Sequence, residues 1–299
     1  STLQRHSFPT RRSSDLNLNN KKSVNLKSNL NDNGIICTSF EDEQTKGEFQ
    51  TTKGIKQFGQ SINTTTLSAR DITIEGVIVG ENLTQIEILK RELIAVLNPL
   101  DDVLLEYTDD VIQKAIIVRA VSVPTFSSEL NTNNLKSFMV QLDAEYPLWQ
   151  DQIYTTINVE TWKSNFEFPF FIEETGLEFA SKGENKIEFI NAGEMEAPLE
   201  FYFKAPALNP KIILNDEKYI KVNRQLNDRE TLYICTAYGN TKVEIIKPNG
   251  ERENAYGYID INSTFFKLPV GSNIISYSTD GDFIPQSVIV KYKNQYLSL

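Results

Sequence analysis

The sequence predicts a mainly β protein built from two β-sandwich domains, the first of which carries one packed α-helix. Three observations lead to this fold class. Short runs of alternating apolar and polar residues, bounded by turn residues, recur along most of the chain and are typical of strands. One stretch, after residue 80, has its apolar residues at helical spacing. The length of 299 residues is enough for two domains with separate cores.

The first sixteen residues stand apart from the rest of the chain. The run HSFPTRRSSDL, His6 to Leu16, resembles the conceptual translation of a common sequencing adapter. We therefore interpret residues 1–16 as a disordered artefact and exclude them from fold reasoning, with a Ser/Arg-rich tail as the alternative. The segment contains the only histidine and carries a net charge of +2, so the remaining chain has −12 against −10 for the whole.

The residue content excludes several kinds of active site. Without a histidine beyond residue 6 there is no Ser-His-Asp or Cys-His pair and no histidine-ligated metal. No glycine loop of a nucleotide site is present, and we expect no metal or other cofactor. Adjacent carboxylates point to opposite faces of a strand and do not form an acid–base pair. The doublets are Asp101–Asp102, Asp109–Asp110 and Glu173–Glu174. We expect that the chain is not an enzyme.

The charge balance and the cysteines restrict the partners. A net charge of −10 disfavours nucleic-acid binding, which needs a basic surface, and it disfavours docking on anionic lipid. No apolar run approaches the roughly 20 residues of a membrane-spanning helix. Cys37 and Cys235 lie far apart in sequence, and we expect both to be free thiols in the core.

Residues 17–150 form the predicted first domain. Val24 and Leu26 indicate a weak first strand, GIICTSF at 34–40 a second, and the polar stretch EDEQTKGEFQTTKG follows at 41–54. Alternation is clearest in LSARDITIEGVIVG at 67–80. After the helix come three more strand-like runs, and the proline and polar residues around position 150 indicate the domain exit. These runs are VLLEYTDD (103–110), AIIVRAVSVP (115–124) and LKSFMVQLDAEYPLW (135–149).

Residues 82–97 predict the single helix. Asn82 with Gln85, or Thr84 with Glu87, can form a capping box, and Asn98–Pro99 ends the helix. The apolar residues fall on one broad face at ~100° per residue, and such a face must cover a sheet. These residues are Leu83, Ile86, Leu89, Leu93, Ile94, Val96 and Leu97.

Two apolar residues of the helix lie off this face. Ile88 and Ala95 are one above the other near the opposite side. One interpretation is that they are isolated exposed apolar residues, which is normal for a soluble protein. The other is that they form a contact patch for a neighbouring subunit, and we name Ile88 and Ala95 as the candidate subunit contact.

Residues 151–299 form the predicted second domain, a series of short strands separated by turns. The turns include KPNGE at 247–251 and LPVGSN at 268–273. Many short strands at regular spacing favour a sandwich or jelly roll. The predicted strands are GLEFA (176–180), NKIEFINAG (185–193), PLEFYFK (198–204), PKIILN (210–215), KYIKVN (218–223), ETLYICTAYG (230–239), TKVEII (241–246), YGYID (256–260), STFFKL (263–268), SNIISYS (272–278) and SVIVKYK (287–293).

Several segments in this order resemble the distal tail proteins of siphophages. In the first domain they are RDITIEGVIVG (70–80), LKRELIAVLNPLDDVLLEY (89–107) and FMVQLDAEYPLWQD (138–151). In the second they are NKIEFINAGEMEAPLEFYF (185–203), YGYIDINSTFFKLPVGSNIISYS (256–278) and VIVKYKNQYLSL (288–299). The resemblance covers about residues 35–299. It departs from the family at the adapter-like start and the weak first strand.

The resemblance implies a tail-tube-like first domain and a galectin-like second domain. It also implies a virion protein at the distal end of a long non-contractile tail, assembled as a hexameric ring that joins the tail tube to the baseplate or tail tip. The implied partners are further copies of the chain, the tail tube protein, a tail tip or tail-associated protein, and a receptor-binding protein or cell-wall glycan. No catalytic residue is carried over from the family.

Two alternatives to the structural ring stay open at this point. The second domain is rich in aromatic residues, so a carbohydrate-binding module for host cell-wall adsorption is one, with Trp162 as the candidate glycan platform. The simpler explanation is that those aromatic residues fill the sandwich core. A hydrolase that uses carboxylates scattered along the sequence is the other alternative.

Overall fold

The structure is a computed structural model that describes residues 12–19, 21–27, 33–127, 134–159, 162–164, 180–182, 186–280 and 287–299. Among these, the side chains of residues 12–17, 162–164 and 180–182 are not described. The chain divides into two compact units, Ser1–Gln152 with Tyr296–Leu299, and Ile153–Gln295. We call them unit 1 and unit 2. The predicted mainly β fold with one α-helix is confirmed over the described residues.

Unit 1 holds the helix and the longest strands. Its described elements are β1 (Arg12–Asn17), β2 (Ser23–Lys27), β3 (Gly34–Asp42), β4 (Gly47–Thr52), β5 (Ser61–Leu67), β6 (Arg70–Val79), α1 (Leu83–Val96), β7 (Asp102–Thr108), β8 (Gln113–Ala120), β9 (Thr125–Phe126), β10 (Leu135–Ala144) and β11 (Trp149–Asp151). The last described strand of the chain is β26 (Gln295–Tyr296), of which Tyr296 belongs to unit 1; the fourteen described strands numbered between β11 and β26 belong to unit 2.

One large sheet forms the body of unit 1. The strand order is β26-β11-β8-β7-β1-β2-β3-β6-β10-β9, and β10 also pairs with β8. The β10–β8 pairing places Leu142 opposite Ala120, so the sheet curls until two strands far apart in the order meet. Curling of this kind encloses one core and leaves fewer open strand edges. Phe138, Val140 and Leu142 of β10 point into that core.

Helix α1 covers the core as predicted, with one error. Asn82 caps its N-terminus, where its side chain accepts a hydrogen bond from the backbone N of Gln85 at 2.9 Å. Ile86, Leu93 and Val96 are buried against the sheet. The prediction that Leu83 is buried is wrong, because this first helical residue is 59% exposed.

A glycine in β6 allows the sheet to pack tightly. A Cβ atom at Gly76 would lie 2.3 Å from the carbonyl oxygen of Ile36 and 2.6 Å from the ring of Phe138. Both distances are shorter than real contacts, so only glycine fits without movement of the backbone. The neighbouring strand β3 has a bulge between Cys37, which is opposite Gly76, and Ser39. The extra residue of this bulge therefore lies next to the position where the two strands approach closely.

The expectation that residues 1–16 lie outside the fold does not hold for residues 12–16. Arg12–Asn17 forms β1 and pairs antiparallel with both β2 and β7. The ladder uses backbone N–H and C=O groups, so the segment occupies the gap between these strands whatever its side chains are. Residues 1–11 lie outside the described residues. Their interpretation as adapter-derived sequence stays a prediction.

Unit 2 consists of short strands. Its described strands are β12 (Thr155–Val159), β13 (Trp162–Ser164), β14 (Ala180–Lys182), β15 (Lys186–Asn191), β16 (Leu199–Lys204), β17 (Ala207–Leu208), β18 (Lys211–Leu214), β19 (Lys218–Lys221), β20 (Gln225–Leu226), β21 (Thr231–Cys235), β22 (Lys242–Ile246), β23 (Arg252–Asn254), β24 (Gly271–Ser278) and β25 (Val288–Tyr292).

Two sheets face each other in unit 2. One has six strands in the order β12-β25-β16-β21-β22-β23, and the other has four in the order β15-β24-β18-β19. Their inward residues form a single core. In it, the ring of Phe203 from the first sheet meets Tyr277 from the second edge-to-face at 5.6 Å. This is the predicted sandwich.

Two predicted strands of unit 2 are wrong. Tyr256–Tyr258 of YGYID forms a turn of 3-10 helix, because the backbone N of Ile259 donates to the carbonyl of Tyr256 within the same segment. In STFFKL, Leu268 makes one isolated bridge to Ala197 and no strand. Phe266 and Leu268 are buried and Phe265 is partly buried without a continuous ladder. The apolar pattern of the sequence alone does not distinguish such a segment from a strand. GLEFA lies outside the described residues except for its last residue.

No helix in the described part of the chain has the length and apolar character needed to cross a bilayer.

Candidate functional site

The outer side of α1 carries an apolar patch. Ile88 is 52% exposed and Leu83, five residues earlier, is 59% exposed. Two shallow depressions meet at Ile88 and Arg91; Ala95, which is half-buried, borders one of them. We call Leu83, Ile88, Arg91 and Ala95 the helix patch. The structure thus brings Ile88 and Ala95 to one depression and adds Leu83. Their role as a subunit contact stays a prediction.

A second apolar surface is the hairpin of β4 and β5, residues 47–67, which we call the arm. Its two strands form a sheet of their own and pair with no other described strand. Phe49 and Ile62 on the strands are each 58% exposed, and Ile55 and Phe58 near the turn are fully exposed. An isolated two-stranded hairpin is only marginally stable in water. The arm therefore presents apolar side chains and open strand edges that a further contact would stabilise.

The base of the arm is fixed to unit 1 by hydrogen bonds. The hydroxyl of Thr45 donates to the carbonyl of Ser68 at 2.8 Å, and the backbone N of Ser68 donates to the carbonyl of Lys46 at 2.9 Å. These bonds hold the two ends of the hairpin together where they leave the body of the unit. The arm thus begins at a defined position.

Sequence reasoning missed the arm. Its first half falls within the predicted polar stretch, because a strand exposed on both faces lacks the alternation that predicts strands. Two signals are present in the sequence. The run Thr64–Thr66 is β-branched, which favours strands, and apolar Phe49, Ile55 and Phe58 stand alone in a polar context.

A buried arginine joins distant parts of unit 1. Arg70 is fully buried, and its guanidinium donates to the carboxylate of Asp42 at 2.6 Å and to the carbonyl of Pro147 at 2.8 Å. It also donates to the carbonyl of Leu297, near the end of the chain. Trp149 Nε1 donates to the other oxygen of Asp42 at 3.0 Å. This network ties the last residues of the chain to β3, β6 and β11.

The outward side of β6 and β10 is acidic. Asp71 and Asp143 stand directly opposite each other in the register of the two strands, and like charges at such positions are destabilising. Burial, Asp71 and Glu145 together raise the pKa of Asp143 above its ordinary value of 3.8. Arg119 is opposite Asp143 on the other neighbouring strand, but its guanidinium pairs with Asp102 at 2.6 Å and with Glu145 at 3.6 Å.

The raised pKa gives a prediction for Asp143→Asn. A carboxyl whose pKa is higher in the folded state binds protons more tightly there, so the ionised form lowers stability at neutral pH. We expect Asp143→Asn to raise the Tm at pH 7 by about 1–2 °C and to have no such effect below pH ~3, where both states of the wild type are protonated. Thermal melts at both pH values measure this. The control is Glu75→Gln on the neighbouring strand β6, opposite Met139 of β10; an equal gain from it would contradict the prediction.

The carboxylate doublets have structural roles where they are described. Asp102 pairs with Arg119 at 2.6 Å, and Asp109 accepts hydrogen bonds from the backbone of Val111 and Ile112 in the turn before β8. Glu173–Glu174 lies outside the described residues. Within the described ranges, no group of three or more His, Cys, Asp or Glu side chains is placed to hold a metal ion. The two cysteines form no disulfide; Cys235 is buried and Cys37 is half-buried.

The remaining candidate, Trp162, belongs to β13, but its side chain lies outside the described part of the structure. Its role as a glycan platform stays a prediction.

Two family models match the chain, one in each unit. Residues 19–144 match the phage tail protein RIFT-related domain, and residues 192–296 match the siphovirus-type tail component, C-terminal domain. No curated protein matches the chain.

Solved structures match over nearly the whole length. The Dit (gp 19.1) protein of phage SPP1, described as a paradigm of the hub adsorption apparatus in phages that infect Gram-positive hosts, has 14% identity and a TM-score of 0.60. The match covers 88% of this chain and 93% of that protein. A chain of the phage P2 baseplate in its activated conformation with Ca has 12% identity and a TM-score of 0.55, with coverages of 97% and 99%. A chain of the corresponding baseplate with Sr has 12% identity and a TM-score of 0.53, with coverages of 95% and 97%. At such identities the likeness concerns the fold.

Proposed function

This chain belongs to the siphophage distal tail protein family, and on that premise we propose that it assembles as a closed hexameric ring at the distal end of the tail. The ring joins the tail tube to the baseplate or tail tip. The number of six comes from the family resemblance. Support for a position in the adsorption apparatus comes from the fold neighbours, which are a phage hub protein and baseplate chains.

The observation that carries the proposal is the presence of two different apolar surfaces on unit 1. The arm has Phe58 fully exposed near its turn, and the helix patch has Ile88 half exposed. We propose that the arm of one copy contacts the helix patch of the next. A contact between two different surfaces is head-to-tail, and repetition of it closes into a ring when the rotation allows.

The acidic balance of the chain fits a ring through which DNA passes. The formal net charge is −10, and a basic surface would bind the phosphate backbone and hold the DNA in place. We propose that the acidic side of β6 and β10, with Asp71 and Asp143 opposite each other, faces the bore. Electrostatic repulsion there would account for a like-charge pair that lowers stability.

The proposed partners are further copies of this chain, the tail tube protein, and a tail tip or tail-associated protein. A receptor-binding protein completes this set. The families matched are tail components, and we propose that this chain likewise acts by assembly and catalyses no reaction.

Charge placed on either surface tests the proposed contact. We expect Phe58→Asp and Ile88→Asp each to reduce assembly at least tenfold, because a carboxylate in an apolar contact is buried without a partner. Both side chains are exposed in the single chain, so each variant should fold as the wild type does. Multi-angle light scattering of the full chain over a concentration series measures assembly, and circular dichroism checks the fold.

Two controls make the test specific. Ile261→Asp puts the same charge on an apolar residue of unit 2 that is 95% exposed and should leave assembly unchanged. A mixture of Phe58→Asp with Ile88→Arg should assemble better than either variant alone, because opposite charges then meet across the contact. Normal assembly of both aspartate variants would overturn the arm-to-helix contact.

A further inference from the structure

The outward side of the six-stranded sheet of unit 2 carries tyrosines and cations in adjacent rows. Phe201 and Phe203 of β16 point into the core, so Glu200, Tyr202 and Lys204 between and beside them point outward. The register then places Tyr202 opposite Tyr233, and Glu200 opposite Lys291. We call Tyr154, Tyr202, Tyr233, Arg252, Lys291 and Lys293 the tyrosine face.

The tyrosines form one connected cluster. The rings of Tyr202 and Tyr233 have centroids 5.0 Å apart. Glu200 accepts hydrogen bonds from the hydroxyls of both Tyr154, at 2.9 Å, and Tyr202, at 3.2 Å. Glu200 thereby fixes the two rings and orients their hydroxyls, which keep lone pairs that can accept hydrogen bonds from a ligand. Tyr154 is 45% exposed, so part of the cluster is open to solvent.

The cations stand beside the rings. Lys291 Nζ lies 5.0 Å from the ring centroid of Tyr202, Lys293 Nζ lies 4.8 Å from that of Tyr154, and the Arg252 guanidinium lies 5.4 Å from that of Tyr233. These are cation–π distances. At the described positions of this side, Lys204 and Lys242 add two further cations, against the carboxylates of Glu200 and Glu244. The face is therefore basic in a chain whose net charge is −10.

The hydroxyls of the three tyrosines resist deprotonation. Burial, in first place, and the neighbouring carboxylate of Glu200 raise the pKa of the hydroxyls of Tyr154 and Tyr202. Burial with Cys235 raises the pKa of Tyr233 in the same way. The tyrosines therefore stay neutral in alkaline solution, where they would otherwise reduce the positive charge.

We propose that the tyrosine face binds an acidic polysaccharide. Sugar rings need a flat aromatic surface with hydrogen-bonding groups beside it, and the exposed parts of Tyr154 and Tyr202 provide both. Acidic groups on the polymer are complementary to the excess of cations. Nucleic acid fits less well, because the chain as a whole is acidic and would repel its backbone. The site as defined does not include Trp162, and it does not depend on the ring proposed above.

Three polymers separate the contributions of charge and sugar. Polygalacturonate supplies acidic sugars, its fully methyl-esterified form has the same sugar backbone without the charge, and polyacrylate has the charge without the sugar. We expect the full chain to bind polygalacturonate at least about tenfold more tightly than either of the other two in isothermal titration calorimetry, and the affinity to fall as salt is added. Equal binding of polyacrylate, or absence of polygalacturonate binding, would overturn the proposal.

Substitutions locate the site. Lys291→Gln combined with Tyr202→Leu should lower the affinity for polygalacturonate at least about tenfold. Lys218→Gln, which removes an exposed cation from the other sheet of unit 2, should leave it unchanged. Unchanged melting temperatures show that the variants are folded. If the double variant binds polygalacturonate normally, the face is not the binding site and the proposal fails. If the double variant instead lowers the mass of the assembly in light scattering, the face is a protein contact, which also contradicts the proposal.

Discussion

Leu93→Asp is expected to unfold unit 1. Leu93 is completely buried where α1 meets the sheet, and a carboxylate there has no charged or hydrogen-bonding partner in the apolar core. Burial of such a group costs several kcal/mol, about 3–5, in addition to the lost packing of the leucine. A loss of that size is a large part of the stability of an ordinary domain.

Hydrogen exchange measured by mass spectrometry follows this effect along the chain. In Leu93→Asp, the amides of β3, β6 and β10 should exchange within seconds, while those of β16 and β21 in unit 2 should keep their protection because that unit has its own core. Ile88→Asp is the matched control, since it introduces the same charge on the same helix at a residue that is 52% exposed. Wild-type protection of unit 1 in Leu93→Asp would show that the helix is not part of its core.

Arg70→Met is the second substitution for which we expect a large loss of stability. The substitution keeps much of the side-chain volume but leaves the carboxylate of Asp42 and the carbonyl oxygens of Pro147 and Leu297 without their donor. Removal of one partner of a buried ion pair costs about 3–5 kcal/mol, because the other charge stays buried and uncompensated. Urea denaturation should give a correspondingly lower midpoint. The last residues should also become open to trimming by carboxypeptidase, because Arg70 no longer holds the carbonyl of Leu297.

The double variant Arg70→Met/Asp42→Asn distinguishes the lost pair from a packing defect. The introduced asparagine is neutral and still offers an oxygen to Trp149 Nε1, which donates to Asp42 at 3.0 Å in the wild type. We therefore expect the double variant to be more stable than Arg70→Met alone, with a coupling free energy of about 1–3 kcal/mol. If the two substitutions destabilise additively, the charge of Asp42 does not depend on Arg70 and this account of the network fails.

The sequence was most informative where burial is one-sided. Helix α1 was predictable because Ile86, Leu93 and Val96 repeat at helical spacing, and β6 because Ile72, Ile74 and Ile78 alternate. Leu83 was assigned wrongly because the periodicity gives a direction around the helix axis and does not tell where the covering sheet ends. The exposure of Ile88 followed from the same periodicity.

Other features depend on contacts that no local pattern carries. Arg70 was not recognised as a core residue, because a charged side chain is buried only when distant groups pair with it. Those groups lie 28 residues away at Asp42, 77 at Pro147 and 227 at Leu297. The tyrosine face was also missed, since Tyr202, Tyr233 and Lys291 become neighbours only through strand register. For Trp162 the structure shows only that the residue belongs to β13.

Native mass spectrometry of the full chain tests the central claim, that copies of this chain lock into a closed ring. The account predicts one dominant species with a mass near six times 34.1 kDa, which disappears in Phe58→Asp and in Ile88→Asp and persists in Ile261→Asp. A single chain at every concentration, also in the presence of the tail tube protein, would contradict it, as would an open series of oligomers without a preferred mass.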